Sequence, residues 1–516
     1  MDFLYSYRSP PKFADVRSLG DALTCVDTFL SEWFESPSRL VVSTVVVVLV
    51  VRWALQAATS LRTLIRSQSS GYGPAETGLR VVATLVADLP LVRGAVAREQ
   101  AKVISKLRED MRASRAEKGV MPLLSLPARS TMRQRDVLRM IDAKREILGE
   151  TETRADRTSK ASGAVYVGDA DLLKLLDKVY TKFSLSNPMH SNIFPTTRQM
   201  EAEVIQMTAS FVGGGEGTDI CGSMTSGGTE SILTAVKASR DYMRRHRCIT
   251  KPEMVIAPSA HAAFIKAAEY FNIEIVKAPL DVGHRLTASA VRRCLSRNTV
   301  LVVASAVGYP HGVMDDVEGI SALCKNRGVL LHVDCCLGGF VLPFLKHVRP
   351  DIGGTMGAAD LAFDFRLPGV TSMSLDVHKF GCSHKGTSVV LYRSPEIRRH
   401  QYTSITDWSG GLYISPGFAG SRNGALIATA WAAMIYHGIE GYAKNASHMM
   451  ECASRFKDAI ERGPLAPYVE LVGDPVMSVV AFASKPGTRD IYVINDALAK
   501  KEWKMSALQS PPVGID

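Results

Sequence analysis

The stretch "TVLVVASAVGYPHGVMDDVEGISALCKNRGVLLHVD", residues 299–334, decides the fold. It opens on a run of β-branched and small apolar residues, crosses a Gly/Pro loop, continues through the helical pattern "DDVEGISALCKNRG" and closes on the short apolar run "VLLHVD". Two strands this apolar, joined by a helix, make a βαβ unit. Such units build a mostly parallel sheet covered by helices on both faces.

The pattern extends upstream, where "EMVIAP" reads as a strand, "HAAFIKAAEYF" as a helix, "IEIVKAPL" as a strand and "TASAVRRCLSR" as a helix. Ligands of parallel sheets gather beyond the carboxyl ends of the strands. The residues there are His261, Tyr309 with His311, Asp334 and, after "SMSLDV", His378 with Lys379. One more segment belongs with them: "SMTSGGTESILTAVKASRDY", residues 223–242, is a Ser/Thr/Gly turn running into a helix. Gly227 and Gly228 leave its backbone open, and the free amides of the helix start, with the hydroxyls of Thr225, Ser226 and Thr229, suit a phosphate.

Each feature has an ordinary alternative: an N-cap for the turn, a cap or ion-pair partner for Asp334, a solvated charge for Lys379. Pyridoxal phosphate (PLP) needs all of them in one crevice. An unpaired lysine forms the Schiff base, a carboxylate keeps the pyridine nitrogen protonated, an imidazole covers the ring and a cradle takes the phosphate.

With 516 residues and 46% hydrophobic side chains the chain has room for two or three domains. Its formal charge of +10 suits anionic lipid or phosphorylated substrates. Zinc-finger spacing and RNA-binding aromatic signatures are missing, which argues against nucleic acid as a partner. The nine cysteines include no CxxC pair, and the adjacent Cys335 and Cys336 suit neither a disulfide nor a shared metal, so reduced, core-packing thiols and no metal site are expected.

Residues 40–51, "LVVSTVVVVLVV", carry no charge. Extended to 38–57 the run can span a bilayer as a helix, with Arg39 and Arg52 snorkelling and Trp53 near the headgroups; the competing reading is a buried valine-rich strand. Basic residues following the run place the body of the protein in the cytosol. The reading therefore divides the chain into a lumenal segment 1–37, an anchor 38–57, a basic, partly helical linker 58–160, a large cofactor-binding domain 161–405 and a small α+β domain 406–516.

The ordered set "SGAVYVGD", "SNPMHSNIFPTTRQMEAEVIQM", "TSGGTESI", "SAHAAFIKAAEYF", "YPHGVMD", "HVDCCLGGF", "DVHKFG" and "GGLYISPGFAGSR" closely resembles the sphingosine-1-phosphate lyases, fold type I PLP enzymes related to the group II amino-acid decarboxylases. The resemblance implies an endoplasmic-reticulum anchor, a cytosolic catalytic body and a homodimer in which residues 409–422, with Arg422, reach across the interface. It also implies that Lys379 carries PLP, His378 lies near its phosphate, Asp334 meets the pyridine nitrogen, His261 stacks on the ring, and Gly228 with Thr229 bind the phosphate. Tyr166, His190, Tyr309 and Lys385 would line the substrate pocket. Lys385 would neutralise the substrate's phosphate, and Tyr166, Tyr309 or Lys379 would move protons. The implied reaction is retro-aldol cleavage of a phosphorylated sphingoid base to a long-chain aldehyde and phosphoethanolamine.

Two departures from the family pattern stand out. Phe380 and Cys382 replace usual tyrosines, and His384 stands where a small residue or proline is common. The chain also ends at "LQSPPVGID", where the family continues with about another strand and helix, so the small domain reads as truncated. The alternative functions are a PLP-dependent amino-acid decarboxylase and a catalytically silent, membrane-tethered homologue.

Overall fold

The computed structural model describes residues 98–99, 101–106, 109, 133–148, 160–167, 169–215, 217–347 and 362–509. The expected lumenal segment and anchor lie outside the described residues, as does most of the linker. Among the described residues no helix is long and apolar enough to cross a membrane. The chain divides into two compact units, and the second, Ala101–Asp516 with Ser69–Gly71, holds the fold that follows.

In the linker, helix α1 (Gln134–Leu148) coincides with the one stretch of apolar periodicity there, and its Val137, Leu138 and Ile141 are exposed. The body is built on a seven-stranded sheet of order β1-β7-β6-β5-β4-β2-β3. Its strands are β1 (Cys221–Thr225), β2 (Glu253–Ile256), β3 (Glu274–Lys277), β4 (Thr299–Ser305), β5 (Leu330–Asp334), β6 (Ser372–Leu375) and β7 (Ser388–Tyr392). From β3 to β6 every neighbouring pair is parallel; β7 runs antiparallel to both β6 and β1. The mostly parallel α/β sheet expected from residues 299–334 is therefore the observed one.

Helices α2 (Ala170–Phe183), α3 (Pro195–Phe211), α4 (Gly228–Arg247), α5 (Ala262–Phe271), α6 (Ala288–Cys294), α7 (Val317–Arg327) and α8 (Gly424–Glu461) surround it. The period of two along each strand sorts side chains between two cores. Leu331 and Val333 of β5, with Val302, Ala304, Met373 and Leu391, pack against Val204 of α3, Val291 of α6, Ile320 of α7 and Ile427 of α8. Leu330, with Met254, Leu301, Val303 and Val390, packs against Ile232 and Val236 of α4 and Phe264 of α5. His332 and Asp334 alternate with the first set and so share the α4/α5 face with Leu330.

Helix α8 breaks at Gly438 (φ 54°, ψ −168°). Beyond the break, its Ala453 and Ile460 join Val469 of β10 (Val469–Leu471), Phe482 of β11 (Phe482–Ser484) and Ile491 of α9 (Ile491–Ala499) in a separate small core. A two-stranded ribbon, β8 (Thr403–Ile405) with β9 (Tyr413–Ser415), lies between this part and the main sheet in sequence.

Candidate active site

Because β7 returns antiparallel beside β6, residues 376–387 form one loop at the carboxyl end of β6. His378 pinches the loop: its N–H donates to the Thr387 carbonyl at 3.1 Å, and its Nδ1 accepts the Thr387 N–H at 3.2 Å. With Nδ1 accepting, the neutral ring carries its proton on Nε2. Burial depresses the His378 pKa, which favours that neutral form.

Lys379 Nζ sits 2.9 Å from Oδ2 of Asp376, a carboxylate only 2% exposed. Burial alone would lower the lysine's pKa, but the Asp376 charge and hydrogen bond overcome it and hold the amine above its ordinary range. The unpaired lysine expected from sequence is thus corrected. A largely buried ammonium needs a counter-ion, and the loop supplies one three residues upstream.

The start of α4 faces this pair. Gly227 caps the helix without a side chain, the Ser226 N–H donates to Glu230 Oε2 at 2.7 Å, and Ser231 N–H is bonded to the Gly227 carbonyl. Helix geometry leaves the amides of Gly228 and Thr229 without intrahelical partners. Beneath them a run of hydroxyls, Thr225 to Ser231 at 2.6 Å and Ser231 to Ser388 at 2.9 Å, ends on the Leu375 carbonyl and ties β1, α4, β7 and β6 together. A Cβ on Gly228 would lie 2.7 Å from Cys336 Sγ and 2.9 Å from Asp376 Oδ2, and one on Gly227 would lie 3.4 Å from His378 Cε1. This is a cradle that only glycine leaves open, bordered by helix-start amides, an imidazole N–H and the lysine, and it fits the phosphate end of PLP. Asp376 Oδ1 is buried without a partner beside it.

Asp334 closes β5 and is 7% exposed. Its Oδ1 accepts the Cys336 N–H at 3.0 Å and the Ser374 hydroxyl at 3.2 Å. His261 is the N-cap of α5, its Nδ1 accepting the Ala263 N–H at 3.1 Å, and it is exposed. His190 is exposed in the turn that leads into α3, and Thr229 is exposed in the first turn of α4.

Tyr166 and Tyr309 come together in one cavity of about 1320 Å³, whose wall also includes Leu337, Phe380, Met449 and Val480. The Tyr309 hydroxyl bonds Ser506 Oγ at 2.9 Å. Lys385 Nζ lies 4.4 Å over the Tyr166 ring and donates to the His378 carbonyl at 3.3 Å; burial, then Lys379, lower its pKa. Phe380 meets Tyr166 edge-on at 5.0 Å. Cys382 packs with Leu172, Leu176 and Ala433, and burial pushes its thiol up to about 12, so it acts as a neutral packing residue. Arg422 forks onto the buried Glu201 of its own chain.

Asp376, Ser374 and Cys336 escaped the reading of the sequence. A signal was present: alternation through "SMSLD" puts Ser372, Ser374 and Asp376 on one side of their strand, as "HVD" does His332 and Asp334.

A lysine beyond a parallel sheet, a glycine cradle at a helix start and a strand-end carboxylate define a PLP-dependent enzyme of the decarboxylase class. The pyridoxal-dependent decarboxylase conserved domain matches residues 165–485. Sphingosine-1-phosphate lyase of Oryza sativa subsp. japonica is 41% identical over 472 residues, covering 89% of this chain and 82% of the relative. That of Saccharomyces cerevisiae is 36% identical over 449 residues, covering 85% and 73%. The solved sphingosine-1-phosphate lyase of Burkholderia pseudomallei superposes with a TM-score of 0.68 at 38% identity, covering 76% of this chain and 87% of the other. Glutamate decarboxylase of Lactobacillus brevis, at 18% identity and a TM-score of 0.63, shares the fold. The chain belongs to the sphingosine-1-phosphate lyase family.

Proposed function

We propose that the chain cleaves phosphorylated sphingoid bases by a PLP-dependent retro-aldol reaction, giving a long-chain aldehyde and phosphoethanolamine in sphingolipid catabolism. The observation that carries this reading is 41% identity spanning 82% of a sphingosine-1-phosphate lyase, with Lys379, His378, Asp334 and Gly228 meeting in one crevice. When bound, the cofactor supplies the electron sink for carbon–carbon cleavage.

In this reading Lys379 holds the cofactor covalently, and the Gly228 and Thr229 amides with His378 Nε2–H hold its phosphate. Asp334 would keep its nitrogen protonated and His261 would lie against its ring. Lys385, with His190, receives the substrate's own phosphate as a fixed cation. Tyr166 and Tyr309 stand in the cavity wall, and one of them or Lys379 would carry the substrate's hydroxyl proton. The apolar part of the cavity, with Leu337, Phe380, Met449 and Val480, suits the alkyl chain.

A single-pass endoplasmic-reticulum anchor at 38–57 with a cytosolic body belongs to the same proposal, since the substrate resides in a bilayer. So does a homodimer. Trp408, Leu412, Ile414 and Phe418 around β8 and β9 are more than half exposed, an apolar surface that a second subunit would cover.

The test is product analysis on purified, PLP-loaded protein given phosphorylated dihydrosphingosine. Long-chain aldehyde and phosphoethanolamine are expected. Carbon dioxide from a free amino acid, with no aldehyde, would mark a decarboxylase, and neither product would mark a silent homologue.

A further inference from the structure

The α4/α5 face of the sheet buries a histidine that the reaction above does not use. His332 has no exposed surface, and neither do Ser372 and Ser374 on the neighbouring strand. The parallel register pairs His332 with Ser372 and Asp334 with Ser374, so "H-x-D" on β5 lies alongside "S-x-S" on β6 with all four side chains on one face. His332 Nδ1 is 2.9 Å from Ser372 Oγ, His332 Nε2 is 3.1 Å from Ser374 Oγ, and Ser374 Oγ is 3.2 Å from Asp334 Oδ1.

Counting protons gives this chain a direction. Asp334 as a carboxylate only accepts, so Ser374 spends its single O–H on Asp334 Oδ1. Ser374 Oγ must then accept from His332, which puts the imidazole proton on Nε2. Nδ1 is left to accept the Ser372 hydroxyl. The second lone pair of Ser374 takes the Cys336 S–H at 3.3 Å, and the Cys336 N–H makes the second bond to Asp334 Oδ1. Every donor in the chain is used once, Asp334 Oδ1 and Ser374 Oγ each accept two bonds, and burial keeps the imidazole neutral by depressing its pKa to about 4. Asp334 Oδ2 takes no part in the chain and is left for a ligand's N–H.

From this geometry we infer that His332 and Ser374 are positioning residues: through Ser374 the histidine fixes Asp334 as an oriented, acceptor-only carboxylate, leaving Oδ2 as the oxygen that would receive the cofactor's N–H. The inference rests on the proposed role of Asp334, and the test separates the two. Charge-assisted hydrogen bonds are among the stronger ones, so losing the Ser374 donor is expected to weaken PLP binding to the apoprotein by about tenfold or more. Ser372→Ala removes a hydroxyl from the same buried strand, two residues away, but one that does not touch Asp334.

The experiment titrates apoprotein with PLP and follows cofactor absorbance for Ser374→Ala, Ser372→Ala, His332→Asn, Asp334→Asn and the double variant Ser374→Ala/Asp334→Asn, with thermal melting alongside. The expected result is a raised Kd for Ser374→Ala, a smaller rise for His332→Asn and little change for Ser372→Ala. Ser374→Ala should add almost nothing once Asp334 is Asn, because residues that act through one group are not additive. If Ser374→Ala and Ser372→Ala shift Kd equally, in step with their melting temperatures, the relay is overturned. If Asp334→Asn itself leaves Kd unchanged, the role of Asp334 fails first. A variant too unstable to titrate is replaced by Ser374→Thr, which retains the hydroxyl and should bind PLP as the wild type does; tenfold weaker binding by Ser374→Thr would count against the relay.

Discussion

Asp376 and Lys379, three residues apart in one loop, face each other at 2.9 Å, so the amine proposed to attack the cofactor's aldehyde is held as an ammonium by a buried anion. The lysine becomes a nucleophile only after it gives up a proton. Asp376→Asn removes the anion and lowers the lysine's pKa. Covalent PLP uptake near neutral pH should then speed up by about tenfold for each unit by which that pKa falls. Stopped-flow absorbance across a pH series checks this; identical profiles for the two proteins would show that Asp376 does not control the amine.

Replacing the lysine itself is the sterner test. Lys379→Ala should abolish borohydride-stable labelling by PLP and cut aldehyde release by about three orders of magnitude or more, as loss of a covalent catalyst does elsewhere. Peptide mapping of the reduced wild-type protein should find the label on Lys379.

The glycine cradle predicts a steric effect with little electrostatic content. In Gly228→Ala the new Cβ would stand 2.7 Å from Cys336 Sγ and 2.9 Å from Asp376 Oδ2, closer than packed atoms tolerate. PLP affinity should fall by about tenfold or more, corresponding to the roughly 1–3 kcal/mol of overpacking. Equilibrium dialysis with PLP would read it.

Burial, then the neighbouring His284, hold His311 near a pKa of about 4, and its ring packs on His284 at 4.8 Å. Between the unfolded value of 6.5 and about 4, the unfolded chain binds a proton that the folded one refuses, so stability falls as pH drops through that window. The shift corresponds to about 3 kcal/mol. Melting temperature should drop between pH 7 and pH 4.5, and His311→Leu should flatten the drop, since Nδ1 of the histidine is already buried without a partner.

Arg422 and Glu201 offer a stability test away from the crevice. Glu201 is 4% exposed, so Arg422→Ala leaves its carboxylate with only Arg198, at 3.4 Å, and should cost about 2–3 kcal/mol in urea unfolding, less than a carboxylate stripped of every partner would. Glu201→Gln added to Arg422→Ala should recover part of that loss.

The sheet was legible because residues 299–334 contain two strands and their crossover helix in unbroken order, and each strand is too apolar to face water. Lys379, Asp334 and Gly228 stood out in the sequence because each lies at or just beyond the end of a strand, where a parallel sheet collects ligands. Asp376 did not, because a carboxylate three residues before a lysine reads as an ordinary surface pair; what sets it apart is its burial at the end of β6, which local pattern does not show. The His332–Ser374 contact depends on the register between β5 and β6, which lie about forty residues apart in the chain. Arg422 pairs with Glu201 of α3, a pairing of distant segments that local pattern does not encode.

The reversed direction of β7 also decides how Lys379 is held. Had that strand been parallel, the chain leaving β6 would have needed a crossover long enough to traverse the sheet, and the reactive lysine would sit on one end of it. Instead the loop is a closed excursion pinned at His378 and Thr387, so Lys379 rides on a short tether whose two ends are both fixed to the sheet, while Cys382 inside it is committed to the packing against Leu172, Leu176 and Ala433. Phe380, Cys382 and His384 all fall inside that span.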